Sequence, residues 1–153
     1  MLLKELADTS FDYKFSNENN GAEHVYKFFV PTINGKFLEY EVFIYLGGNN
    51  YVERKDMIEV LFQVSRADST KTDEITGTGN AFKIFSTVLK IIKKEIKDDP
   101  NIKIINFGAK SKEKSRIKLY NHFVDNLEKY LPGWKLKKVS GKSVFFHYQL
   151  EKQ

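Results

Sequence analysis

At 153 residues the chain has the length of one ordinary domain, enough to bury a core without covalent staples. Hydrophobic residues make up 41% and charged residues 29%, too apolar for a disordered tail, and the absence of cysteine removes disulfide frameworks, thiolate zinc sites and cysteine nucleophiles. The formal charge of +5 permits an anionic partner, but the lysines are spread along the chain, so nucleic acid is a weak expectation.

Residues 11–15 alternate aromatic and polar side chains, the period of a short strand, and Ser16-Asn17-Glu18-Asn19-Asn20-Gly21 reads as the loop after it. Two β-rich runs follow, 24–30 and 37–46, joined across Pro31-Thr32-Ile33-Asn34-Gly35. Asn-Gly is a hairpin signal because both residues tolerate the positive φ of a type I′ turn. Gly47-Gly48-Asn49-Asn50 precedes another strand, 57–64, so that 11–66 reads as an antiparallel meander. The polar stretch 67–74 has no period. A helix then begins near Asn80, with Ala81, Phe85, Val88 and Ile92 on an apolar stripe, Lys83, Lys90, Lys94 and Lys97 opposite, and Asp98-Asp99-Pro100 as its stop.

Residues 101–107 read as a strand, and the intervening helix makes a parallel crossover the natural connection to the strand before it. A second amphipathic helix, 112–131, carries Ile117, Tyr120, Phe123 or Val124, Leu127 and Tyr130 on one side, and Pro132-Gly133 ends it. Strands 134–139 and 143–150 close a hairpin around Ser140-Gly141-Lys142. The expectation is one α/β (α+β) domain built as a meander over 11–66, helix-strand-helix over 77–131 and a hairpin over 134–151. Its sheet is mixed, mostly antiparallel and twisted, with two main helices. Glu5 interrupts the N-terminus before an apolar leader forms, and no run approaches the roughly 18 apolar residues of a membrane span, so a cytoplasmic protein with no membrane partner is expected.

Glu74-Ile75-Thr76-Gly77-Thr78-Gly79-Asn80-Ala81 is the sharpest local feature. Two glycines let backbone approach a ligand, and the unpaired amides of a helix's first turn favour an anion such as phosphate. The plainer reading is a tight strand-to-helix entry with Thr78 or Asn80 as N-cap, and the spacing alone does not separate the two. His24, His122 and His147 are scattered over three elements without ligand spacing, so no metal is expected. Neither a Gly-x-Ser-x-Gly elbow nor a Gly-x-x-x-x-Gly-Lys-Ser/Thr loop is present.

The order of elements and the Glu74-x-x-Gly77-x-Gly79 spacing resemble the GNAT (Gcn5-related N-acetyltransferase) family, whose acetyl-CoA loop reads Gln/Arg-x-x-Gly-x-Gly/Ala. Ser115-Arg116-Ile117-Lys118-Leu119-Tyr120 is similar to the family segment whose tyrosine serves as general acid. The resemblance implies acetyl-CoA as cofactor, with pyrophosphate on the amides of Gly77, Thr78, Gly79, Asn80 and Ala81, and pantetheine along a splayed strand at Phe62, Gln63 and Val64. It also implies an amine acceptor, Tyr120 protonating the departing thiolate, and a carboxylate base for which Glu59 is the first candidate and Glu41 a weaker one. Small phage-encoded proteins with a Gly-Thr-Gly-Asn-Ala-Phe helix start look similar. Glu74 at the Gln/Arg position and Arg116 at a usually small one motivate the alternative, a catalytically inert scaffold that binds a host or viral macromolecule.

Overall fold

The computed structural model describes residues 10–16, 23–31, 35–47, 55–64, 81–142 and 144–153. In chain order they form β1 (Tyr13–Ser16), β2 (Glu23–Pro31), β3 (Phe37–Leu46), β4 (Met57–Val64), α1 (Ala81–Asp98), β5 (Ile104–Lys110), α2 (Lys114–Asp125), α3 (Leu127–Tyr130), β6 (Trp134–Lys142) and β7 (Phe145–Lys152). The strands make one seven-stranded sheet in the order β1-β2-β3-β4-β5-β7-β6. Every pair is antiparallel except β4 with β5, which is parallel, and α1 is the crossover between them. The mixed α/β sheet read from the sequence is the one observed.

Alternation along the strands sorts the side chains into two faces. Tyr26, Val42 and Phe62 lie in register across β2, β3 and β4. The Tyr26 hydroxyl reaches Glu95 of α1, and the Phe62 ring meets Tyr120 of α2, so both helices pack on this one face. The core lies there: Ile84, Phe85, Val88 and Ile92 of α1 and Tyr120 and Phe123 of α2 bury against Tyr26, Phe28, Val60, Phe62, Phe107 and Tyr148. The strand β5 is buried almost throughout, as a central strand flanked on both edges should be. The opposite face of the sheet carries Lys27, Glu41, Phe43, Tyr45, Glu59, Leu61 and Gln63.

Several boundaries move for identifiable reasons. Phe11 precedes β1; its N–H donates to Thr87 Oγ1 of α1 at 2.8 Å and its ring stacks on Phe28 of β2, so its backbone is bound to the helix and not to the strand ladder. The strand expected over 101–107 starts at Ile104, because Ile102 N–H turns back to the Asp99 carbonyl. The helix expected over 112–131 breaks at Asn126, whose φ of −120° is not helical and whose amide donates to the His122 carbonyl at 2.9 Å, the side-chain competition that makes asparagine a poor helix interior. Ser140-Gly141-Lys142 is strand and not turn: Gly141 pairs with Phe146, whose ring fills the space a Cβ would need, at 2.5 Å. Between β2 and β3 Gly35 takes φ +74°, while its partner Asn34 lies outside the described residues. Among the described residues no helix is long and apolar enough to cross a membrane.

Candidate functional site

The parallel pairing of β4 and β5 holds for four register positions, from Met57 with Ile104 to Val60 with Phe107. Beyond them, among the described residues, β4 continues to Val64 paired to β3 alone, and β5 continues to Lys110 paired to β7 alone. The two strands therefore part at their carboxyl ends, the position at which open α/β sheets bind ligands.

Backbone polarity at this parting follows from the hydrogen bonds below it. The Asp56 carbonyl accepts from Ile104 N–H at 3.0 Å, toward β5, whereas the Met57 carbonyl accepts from Gly47 N–H at 2.8 Å, on the β3 side. Because polar groups alternate sides along a strand, Phe62 and Val64 turn their N–H and C=O toward the gap, and Gln63 turns its own toward β3. Of Phe62, Gln63 and Val64, the first and third thus turn their backbone polar groups away from β3 and toward the β5 side. Gln63 belongs to the β3 ladder, with its side chain exposed on the open face of the sheet.

Tyr120 spans the parting from the helix side. Its ring sits edge-on to Phe107 of β5 at 4.9 Å and to Phe62 of β4 at 6.3 Å, and it is 3% exposed. Burial raises its hydroxyl above the ordinary tyrosine range; Arg116 pulls the other way, while Glu113 and Tyr148 add to the rise. Glu59 lies on the open face, in register between Tyr45 and Asn106, one position before the last paired one, Val60 with Phe107. Tyr120 and Glu59 thus stand on opposite faces of the sheet, on either side of one gap. Glu41 is on the open face as well, paired with Gln63 and Lys27.

Arg116, one turn before Tyr120 on α2, is the residue the sequence reading undervalued. It is 7% exposed, its Nη1 donates to the Phe62 carbonyl at 3.0 Å, and its guanidinium carbon lies 4.2 Å from the Phe62 ring centre. Glu113 holds the other side: one carboxylate oxygen accepts from Lys110 N–H at 3.0 Å and the other lies 3.3 Å from Arg116 Nη1. Glu113 and Arg116 at i, i+3, with Tyr120 at i+4 from the arginine, was the signal available in the sequence. Among the described residues two buried side-chain polar atoms have no hydrogen-bond partner, Arg116 Nε and Asn106 Oδ1. One belongs to the group that reaches the gap; the other belongs to the β5 residue just below it.

Gly77, Thr78, Gly79 and Asn80 lie outside the described residues, as does Glu74. Ala81 is the first residue of α1 and packs against the core. The histidines remain apart: His24 contacts Glu95, His122 pairs with Tyr130 and His147 is in β7. No three metal-binding side chains cluster among the described residues.

No protein-family model matches the chain, and no curated protein is similar to it at a significant level. Solved structures similar in fold include a Bacillus subtilis acetyltransferase in complex with CoA, at 9% identity and TM-score 0.48 over 94% of this chain and 100% of that one. A GNAT-family acetyltransferase from Streptococcus pneumoniae gives 13% identity and TM-score 0.45 over 86% and 67%. An aminoglycoside acetyltransferase in complex with coenzyme A and kanamycin gives 10% and 0.44 over 86% and 67%. The chain spans about two thirds of the length of the latter two.

Proposed function

We propose that the protein is an acyl-CoA-dependent N-acyltransferase that works in the parting between β4 and β5. The observation that carries this reading is the pair of strand carbonyls and amides at Phe62 and Val64 turned into a gap with no strand opposite among the described residues. A pantetheine arm, with its own amide N–H and C=O groups, is a natural complement to such an edge. The diphosphate would lie on the amides from Gly77 to Ala81, and no metal is needed in this scheme.

The acceptor amine attacks the thioester carbonyl carbon, the C–S bond breaks, and the electron pair leaves on sulfur. Glu59, at the closed end of the gap on the open face, takes a proton from the amine, directly or through water. Tyr120, on the helix face, donates toward the departing sulfur. Its raised pKa keeps it protonated at neutral pH, and it makes Tyr120 a weaker acid than a free thiol of pKa about 8.5, so its part is hydrogen-bond stabilisation of the thiolate more than complete proton transfer.

Calorimetric titration with acetyl-CoA and CoA tests the reading. Binding is expected, weakened about tenfold or more by Gly79→Glu, which sets a carboxylate against the diphosphate. Absence of binding to either compound removes the proposal. The second reading, a catalytically inert scaffold of phage origin that docks a host or viral macromolecule, is favoured by the arginine at the Phe62 carbonyl. CoA binding together with acetyl transfer to polyamine, aminoglycoside or peptide amines would eliminate it.

A further inference from the structure

We infer that Arg116 is an internal stand-in for the ligand, and that its guanidinium must leave the Phe62 carbonyl before an acyl-CoA can lie along the edge of β4. This rests on the acyl-CoA reading above and adds to it a built-in gate.

The carbonyl of Phe62 faces the gap because its neighbours two, four and six residues earlier do the same, down to Asp56, which pairs with Ile104 across the closed part of the seam. A strand carbonyl buried where the sheet is split needs a donor, since an unsatisfied buried polar group costs about 1–3 kcal/mol. In an unbroken sheet β5 would supply it. Where the strands part, Arg116 supplies it at 3.0 Å. A pantetheine amide approaching the same edge meets a carbonyl already engaged and a guanidinium stacked on the adjoining ring at 4.2 Å.

The arginine is held less completely than a purely structural residue would be. Its Nε is buried without a partner, and its ion pair with Glu113 is long at 3.3 Å, while Glu113 spends its other oxygen on Lys110 N–H at 3.0 Å. Swinging outward breaks one hydrogen bond and a long ion pair but returns the guanidinium and its orphaned Nε–H to water, a partial compensation that leaves about one molecule in ten released. The lost contact to Phe62 is replaced by that of the ligand. The gate therefore costs affinity only as the fraction of molecules in which Arg116 is already released.

Nuclear magnetic resonance of the intact protein with labelled arginine reads this directly. The Arg116 Nε–H resonance is expected to be protected from solvent exchange without ligand and to lose that protection at saturating CoA. In parallel, Arg116→Met, which fills the space without a donor, is expected to tighten CoA binding about tenfold, with Arg116→Lys between it and the wild type. If wild-type protein binds CoA while the resonance stays protected, or if both variants bind no tighter than wild type, the gate is overturned and the acyl-CoA reading stands. If wild type and both variants fail to bind, the gate falls with the reading it rests on. Should Arg116→Met fail to fold, the resonance and Arg116→Lys still decide.

Discussion

Each of the two principal helices sends one charged side chain down onto the same face of the sheet, and the two are treated differently. Glu95 of α1 is 4% exposed and fully engaged: the Tyr26 hydroxyl donates to it at 2.5 Å and His24 Nδ1 lies 2.9 and 3.0 Å from its two oxygens. Arg116 of α2, at 7% exposure, has one carbonyl, one long ion pair and an unpartnered Nε. The first cluster lies over β2, where the sheet is continuous on both sides; the second lies where the sheet is split. A closed polar network serves stability, and the incomplete one beside the split in the sheet is where the proposed ligand would dock.

That contrast breaks most readily at Glu95. Glu95→Ala strands the buried Tyr26 hydroxyl and removes the carboxylate His24 faces, so unfolding in urea should show a loss of about 3 kcal/mol. A loss below 1 kcal/mol would mean that the two clusters do not differ in kind. Next in size, Tyr120→Phe should lower kcat for acetyl transfer about 100-fold while shifting stability by under 1 kcal/mol, the reverse of the Glu95 pattern. A large stability loss with little change in turnover would return Tyr120 to the core.

The smallest effect concerns alkaline pH. Burial, and then the bond to Glu95, raise the Tyr26 pKa, so the unfolded tyrosine ionises near pH 10 while the folded one resists. The stability this contributes is complete below about pH 10 and is lost as pH climbs above it. Tyr26→Phe should cost about 1 kcal/mol at pH 7 and flatten the decline above pH 10. An unchanged alkaline slope would show that other tyrosines set it.

Much of the fold was legible because its signals are periodic. The meander strands from Glu23–Pro31 to Met57–Val64 and the helix at Ala81–Asp98 follow from alternation and from the stripe of Phe85, Val88 and Ile92. The parallel crossover followed from the length of that helix. Less was legible where one side chain overrides a pattern, as Asn126 does in breaking a helix and Gly141 in carrying a strand through an apparent turn. Of the candidate site, Tyr120 and Phe62 were named through the family resemblance, yet Arg116 was read as a departure from a motif, and Glu95 was hidden in a lysine-rich stretch where it looks like any solvated charge.

By itself the sequence determined the succession of strands and helices, the buried stripes and the parallel link, since these depend on local period and connection length. Tertiary structure alone decided that β4 and β5 separate after Val60 and Phe107, that Glu59 and Tyr120 fall on opposite faces of that parting, and that Arg116 caps the Phe62 carbonyl. Those facts turn on the direction of backbone groups and on side chains meeting 54 residues apart in the chain, which no local pattern encodes.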